Sequence, residues 1–200
     1  MILNKIQSDL KDPKDVKMIS RLRCGDVYPD RYWFQFKEEE ISIVDLMQCQ
    51  KIHLKNPLIF TLNKKISEKR LLSYDYYMSD GPDFISPKLT TLLENNDEFL
   101  KEVQLLDAIV IINGQSHYGF KVFNPLRFLS CMDMDKSEST PVLDSQPDGP
   151  RRFTKKVFRQ DVTEDFWIVR CLEDSSCVMI SDKLRQFFID NHIKGINLKD

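Results

Sequence analysis

Phe84-Ile85-Ser86-Pro87-Lys88-Leu89 and Met179-Ile180-Ser181-Asp182-Lys183-Leu184 decide the fold class of this chain. Each runs two apolar residues into a serine that can cap a helix, and Pro87 occupies the first helical position, where its missing N–H costs nothing. Apolar residues then follow at helical spacing: Leu89, Leu92 and Leu93 after the first serine, and Leu184, Phe187 and Phe188 after the second. The first helix is expected to stop at Asn95-Asn96 and the second at Asn191, on residues that tolerate left-handed backbone. The two strand–Ser–helix units lie 95 residues apart. Two readings stay open: a duplication, or the likeness that any capped amphipathic helices share.

Working outward, Val103 to Ile112 reads as a buried strand, Asn113-Gly114 as a tight turn, and Tyr118 to Phe123 as the returning strand. Asn124-Pro125 interrupts it, and Leu126 to Cys131 resumes extended structure. Residues 133–150 are polar and proline-containing and read as a loop. Phe153 to Val162 and Phe166 to Leu172 read as strands. The stretch from Cys177 to Leu198 reads as strand, helix and short strand. Upstream, Arg31 to Phe36 and Pro57 to Leu62 suit strands, Leu71 to Asp83 reads as a connection, and residues 1–30 are weakly patterned. The expectation is an α+β fold with a mostly antiparallel sheet, a few packed amphipathic helices and the two strand–Ser–helix units. Residues 1–80 are expected to form a variable N-terminal region and residues 81–200 the core, within one compact unit.

Composition restricts function. The chain has 200 residues, 42% hydrophobic and 30% charged, with 13 Phe, enough for a proper core. A net charge of −2 does not advertise a nucleic-acid binder. The N-terminus turns polar within a few residues, and no apolar run is long enough to span a membrane. The five cysteines, Cys24, Cys49, Cys131, Cys171 and Cys177, are scattered and odd in number, which points to reduced thiols in a cytoplasm.

Signals for chemistry are weak. His53, His117 and His192 are far apart, and Cys171 with Cys177 makes at most two ligands, so no metal site and no cofactor are expected. Gly114-Gln115-Ser116-His117-Tyr118 only half resembles a nucleophile elbow. Asp133 and Asp135 would share a strand face if extended, which with His117 sketches a small hydrolase or nuclease site; a solvated loop edge explains the pair more simply. Arg151 to Arg159 carries five cations with interleaved Phe, as a nucleic-acid strip would, or as a strand with two solvated faces would.

The order of segments in residues 80–200 resembles a known family. It runs from Ile85-Ser86-Pro87-Lys88-Leu89 through Tyr118-Gly119-Phe120-Lys121-Val122-Phe123-Asn124-Pro125 and Cys131-Met132-Asp133-Met134-Asp135-Lys136-Ser137. It continues to Val178-Met179-Ile180-Ser181-Asp182-Lys183-Leu184 and Ile193-Lys194-Gly195-Ile196. This is similar to immunity protein family eleven of the bacterial polymorphic-toxin systems, long known only as a domain of unknown function. The resemblance implies a non-enzymatic protein, monomeric or homodimeric, that binds a cognate toxin domain and occludes its active site. No catalytic residues carry over. Acidic surface suits basic nuclease clefts, so the candidate toxin contacts are Glu38, Glu39 and Glu40 together with Asp133, Asp135, Asp144 and Asp148.

Overall fold

The computed structural model describes residues 18–26, 28–146 and 149–198. The Asn113-Gly114 signal is met by a two-residue turn, with φ of 51° and 81° at the two positions. It joins β6 (Val103–Ile112) to β7 (Gln115–Pro125) in register from Ile112↔Gln115 to Val103↔Pro125. Positive φ at both central residues matches the right-handed twist of the flanking strands. β7 carries one extra residue where Ala108↔Phe120 gives way to Val110↔His117. Gly119, at φ +84°, sits in that bulge, and a Cβ there would meet Pro87 at 3.3 Å. Far from breaking the strand, Asn124 is fully buried within it and donates to the Gln50 carbonyl.

This hairpin is the middle of a six-stranded sheet. On one side β3 (Leu58–Leu62) runs parallel to β6, and β2 (Gln35–Lys37) pairs antiparallel with β3. On the other, β5 (Phe84–Ile85) and β4 (Tyr76–Tyr77) follow β7, both antiparallel. The parallel β3–β6 pair needs a long crossover, supplied by residues 63–102. That crossover holds α2 (Glu68–Leu71), β4, β5, α3 (Pro87–Glu94) and α4 (Asp97–Leu100). A four-stranded sheet orders β1 (Ile19–Arg21), β12 (Val178–Ser181), β11 (Ile168–Cys171) and β8 (Phe128–Leu129), with only β11–β8 parallel. A third pair, β9 (Glu138–Pro141) and β10 (Arg151–Lys155), forms a separate antiparallel ribbon. The remaining helices are α1 (Ile43–Leu46) and α5 (Asp182–Asp190). The fold is therefore α+β with mostly antiparallel sheets. Strands from both sides of residue 80 share the six-stranded sheet, and β1 joins the other. Among the described residues no helix is long and apolar enough to cross a membrane.

Both serines cap as expected: Ser86 Oγ accepts from Leu89 N (3.1 Å) and Ser181 Oγ from Leu184 N (3.4 Å). The strands that lead into the caps differ. β5 and β12 belong to different sheets with different neighbours, and a repeat of the units is not shown. The helices stop where expected, with Asn95 and Asn191 as the C-caps of α3 and α5, but neither residue adopts the left-handed backbone. Asn96 is the N-cap of α4, accepting from Phe99 N, and the left-handed residue after α5 is His192 (φ 51°) rather than Asn191. The aromatic stretch from Arg31 starts as a 3-10 turn, Asp30–Tyr32, before β2. Three strands were hidden from sequence reading: β1 inside the weakly patterned residues 1–30, β4 inside the Tyr-rich connection and β9 inside the polar loop. β10 stops at Lys155 instead of running to Val162.

Alternation on the strands divides the core. Phe84 faces one side of the six-stranded sheet with Phe34, Phe60, Val110, Phe120 and Val122. Its neighbour Ile85 faces the other, with Leu89 and Leu93 of α3, Phe99 of α4, Leu184 and Phe188 of α5, and Ile180 of β12. Met179, next to Ile180, turns into a third cluster with Ile19, Val169 and the buried Cys131, Cys171 and Cys177. The serine-capped helices thus fill the layer between the two main sheets.

Candidate functional site

The acidic candidates divide by what already holds them. Glu38 accepts from Ile43 N (3.0 Å), and Glu39 pairs with Lys37 (2.6 Å). Glu40 receives both Lys55 N (2.6 Å) and Asn56 N (3.0 Å), which hold its carboxyl below the usual range. Two of these three carboxylates therefore also pin loops. Asp133 to Ser137 folds as a turn, with Ser137 N donating to the Asp133 carbonyl (2.9 Å). The Asp133 carboxylate takes the Lys136 N–H (3.2 Å) and its ammonium (2.7 Å), and Lys136 lowers its pKa. Asp133 and Asp135 are consequently not on one extended face. They line a different cavity from His117, so the sketched hydrolase constellation is not brought together. Asp144 is exposed in the β9–β10 connection, and Asp148 lies outside the described residues.

The basic stretch behaves as a strand with two solvated faces. Residues 151–155 are exposed except Phe153, which packs on the third core cluster. Arg151 donates to Ser139, Lys155 pairs with Glu138, Lys156 with Asp174 and Arg159 with Asp161. Cations spent within the chain are poor candidates for a phosphate strip. The ribbon's far end is apolar: Val142 and Leu143 are 51% and 53% exposed, next to Asp144. Val142 N donates to the Pro150 carbonyl (2.8 Å) and closes the connection.

The cysteines are structural neighbours rather than a ligand set. Cys171 and Cys177 meet through the β11–β12 turn, where Cys171 N donates to the Cys177 carbonyl (2.9 Å), but their sulfurs go elsewhere. Cys171 donates to Glu173, which also accepts from Ser130 Oγ and from the Cys131 and Met132 amides. Cys177 faces Lys156 and Asp174. Among the described residues no three His, Cys, Asp or Glu side chains converge as metal ligands.

Sequence reading missed the most chemically loaded place, a cavity of about 220 Å³ beside β1, β12 and the Met78–Asp83 segment. Arg21, Arg23, Asp83 and Arg170 line it together with Leu22, Phe123 and Val178. Asp83 accepts from the Tyr76 hydroxyl (2.8 Å) and Ser79 N (3.4 Å). Burial dominates these contacts and the nearby Arg21 charge, and pushes its carboxyl up to about 6. A raised folded-state pKa means that the folded chain binds this proton more readily than the unfolded chain, so stability is gained as pH falls through 6. Asp174 acts oppositely. Lys156 and Ser176 hold it at about 2, and its contribution disappears as pH falls below its ordinary value. Asp83→Asn should therefore stabilise the chain most above pH 7, with the advantage narrowing by about 1–2 kcal/mol near pH 5. Denaturant titrations of both forms at the two pH values check this; a constant offset would refute it.

No protein-family model matches this chain, and no curated protein matches it.

Proposed function

We propose that this chain is a cytoplasmic immunity protein that binds a cognate toxin domain and occludes its active site. The order of segments between residues 80 and 200 supports the reading through its resemblance to the immunity family. The structural observation that carries it is the β9–β10 ribbon, which among the described residues pairs with no strand of the other sheets and ends in exposed Val142 and Leu143 beside Asp144. Apolar side chains held at the tip of a hydrogen-bonded ribbon fit the anchors of a protein interface better than a catalytic centre. The neighbouring carboxylate, and the exposed Glu38–Glu40 run, complement the basic clefts of enzymes that act on nucleic acid.

Co-expression with the toxin encoded beside this gene tests the reading. The two proteins should co-elute in gel filtration, and cells making both should survive. The Val142→Asp, Leu143→Asp double variant should bind at least about tenfold more weakly, since two anchoring aliphatics are lost. A wild-type chain that neither co-elutes nor protects would overturn the assignment. Unchanged binding by the double variant would remove the ribbon from it.

A further inference from the structure

The cavity beside β1 and β12 contains a positive charge that no carboxylate among the described residues neutralises. Arg170 is only 6% exposed. Its guanidinium donates to the Ser175 carbonyl (2.6 Å) and the Leu46 carbonyl (3.0 Å), with the Cys49 thiol as a further neighbour. Its Nε has no acceptor among the described residues. Burying a guanidinium costs several kcal/mol, and two neutral carbonyls return less than a carboxylate would. Arg21 and Arg23 add two further cations to the lining, whereas Asp83 is its one carboxylate and is engaged by Tyr76 and Ser79. The rest of the wall is largely apolar, with Leu22, Phe123 and Val178. At about 220 Å³ the space exceeds the roughly 150 Å³ that admits benzene in an engineered cavity, leaving room for a ring and a charged head group.

We propose that this cavity is a binding site for a small organic carboxylate, with its anionic group on Arg170 and its apolar body against Leu22, Phe123 and Val178. The site does not overlap the ribbon and stands whether or not the chain neutralises a toxin. Its recognition logic is specific: the Arg170 Nε–H, left without an acceptor among the described residues, selects an anion, and the apolar wall selects the body attached to it.

Calorimetric titration of the full chain with benzoate, benzamide and inorganic phosphate is the test. Benzoate should bind at low-millimolar strength or tighter, and benzamide, which has the same shape without the charge, at least about tenfold more weakly. Phosphate, lacking the apolar body, should also bind more weakly than benzoate. Arg170→Met keeps most of the volume and should abolish benzoate binding; removing a buried charge in this way is often neutral for stability. No benzoate binding at about 10 mM, equal binding of benzamide or phosphate, or full retention by Arg170→Met would each overturn the proposal. If Arg170→Met does not fold, the comparison of benzoate with benzamide on the native chain decides alone.

Discussion

Phe84→Ala is expected to destabilise the chain by about 3–5 kcal/mol, a large part of the total stability of an ordinary domain. The ring is fully buried and has aromatic neighbours on several sides. It stacks on Tyr77 (5.0 Å between centroids, 9° between planes), lies 4.4 Å from Phe60, and meets Phe34 and Phe120 edge-on at 5.0 and 5.9 Å. These partners come from four different segments, so the void left by alanine cannot close by moving one of them. β5 is only two residues long, and its other residue, Ile85, is buried on the opposite face. Urea titration should show a lower midpoint with an unchanged slope. Phe84→Leu keeps much of the volume and should cost about half as much. A cost below about 1 kcal/mol for the alanine variant would show that this cluster does not set the stability.

Asp75→Ala is expected to cost about 2–5 kcal/mol, chiefly through the donors it leaves behind. The carboxylate is 4% exposed and accepts from Ser86 Oγ (3.0 Å), Lys194 N (2.9 Å) and Lys88 Nζ (3.3 Å). Its backbone also donates to the Lys194 carbonyl (2.8 Å) and accepts from Ser86 N (2.9 Å). Asp75 therefore orients the serine that caps α3 and ties that cap to the segment after α5. Removing it strands a buried hydroxyl and a part-buried amide at once. Lys88 is half exposed, so the ion pair itself contributes little of the loss. Amide exchange should quicken at Leu89 and Lys194 while the β6–β7 hairpin stays protected. Unchanged exchange at those two amides would sink this account.

The contrast between these two residues shows what could be read in advance. Ser86, Pro87 and the apolar spacing after them are local signals, as are Asn113-Gly114 and the runs on either side, and each lies where its chemistry directs. Asp75 sits between Tyr74 and Tyr76 in a stretch of mixed polarity, and its partners are 11 and 119 residues away. No period reveals such a link. β9 was concealed for a similar reason: Glu138-Ser139-Thr140-Pro141 has little apolar content because both of its faces are largely solvated. The cavity assembles Arg21, Asp83 and Arg170 from three distant segments. One clue to it was present, an arginine inside the otherwise apolar Ile168-Val169-Arg170-Cys171, all four of which are buried. A cation in such a strand must find its compensation from elsewhere in the fold.

The pairing of β1 with β12 also fixes an order of events during synthesis. The six-stranded sheet takes its strands from residues 35–125, so its register can form as soon as β7 has been made. Ile19 has to wait for Ser181 and Arg21 for Met179, because those are their partners. A nascent chain will therefore carry its first described strand unpaired while the larger sheet condenses, with the backbone N–H and C=O groups of that strand and the side chain of Ile19 uncovered for the whole interval. A circular permutant opened in the ribbon, with β1 translated soon after β12, should shorten that interval and aggregate less during expression.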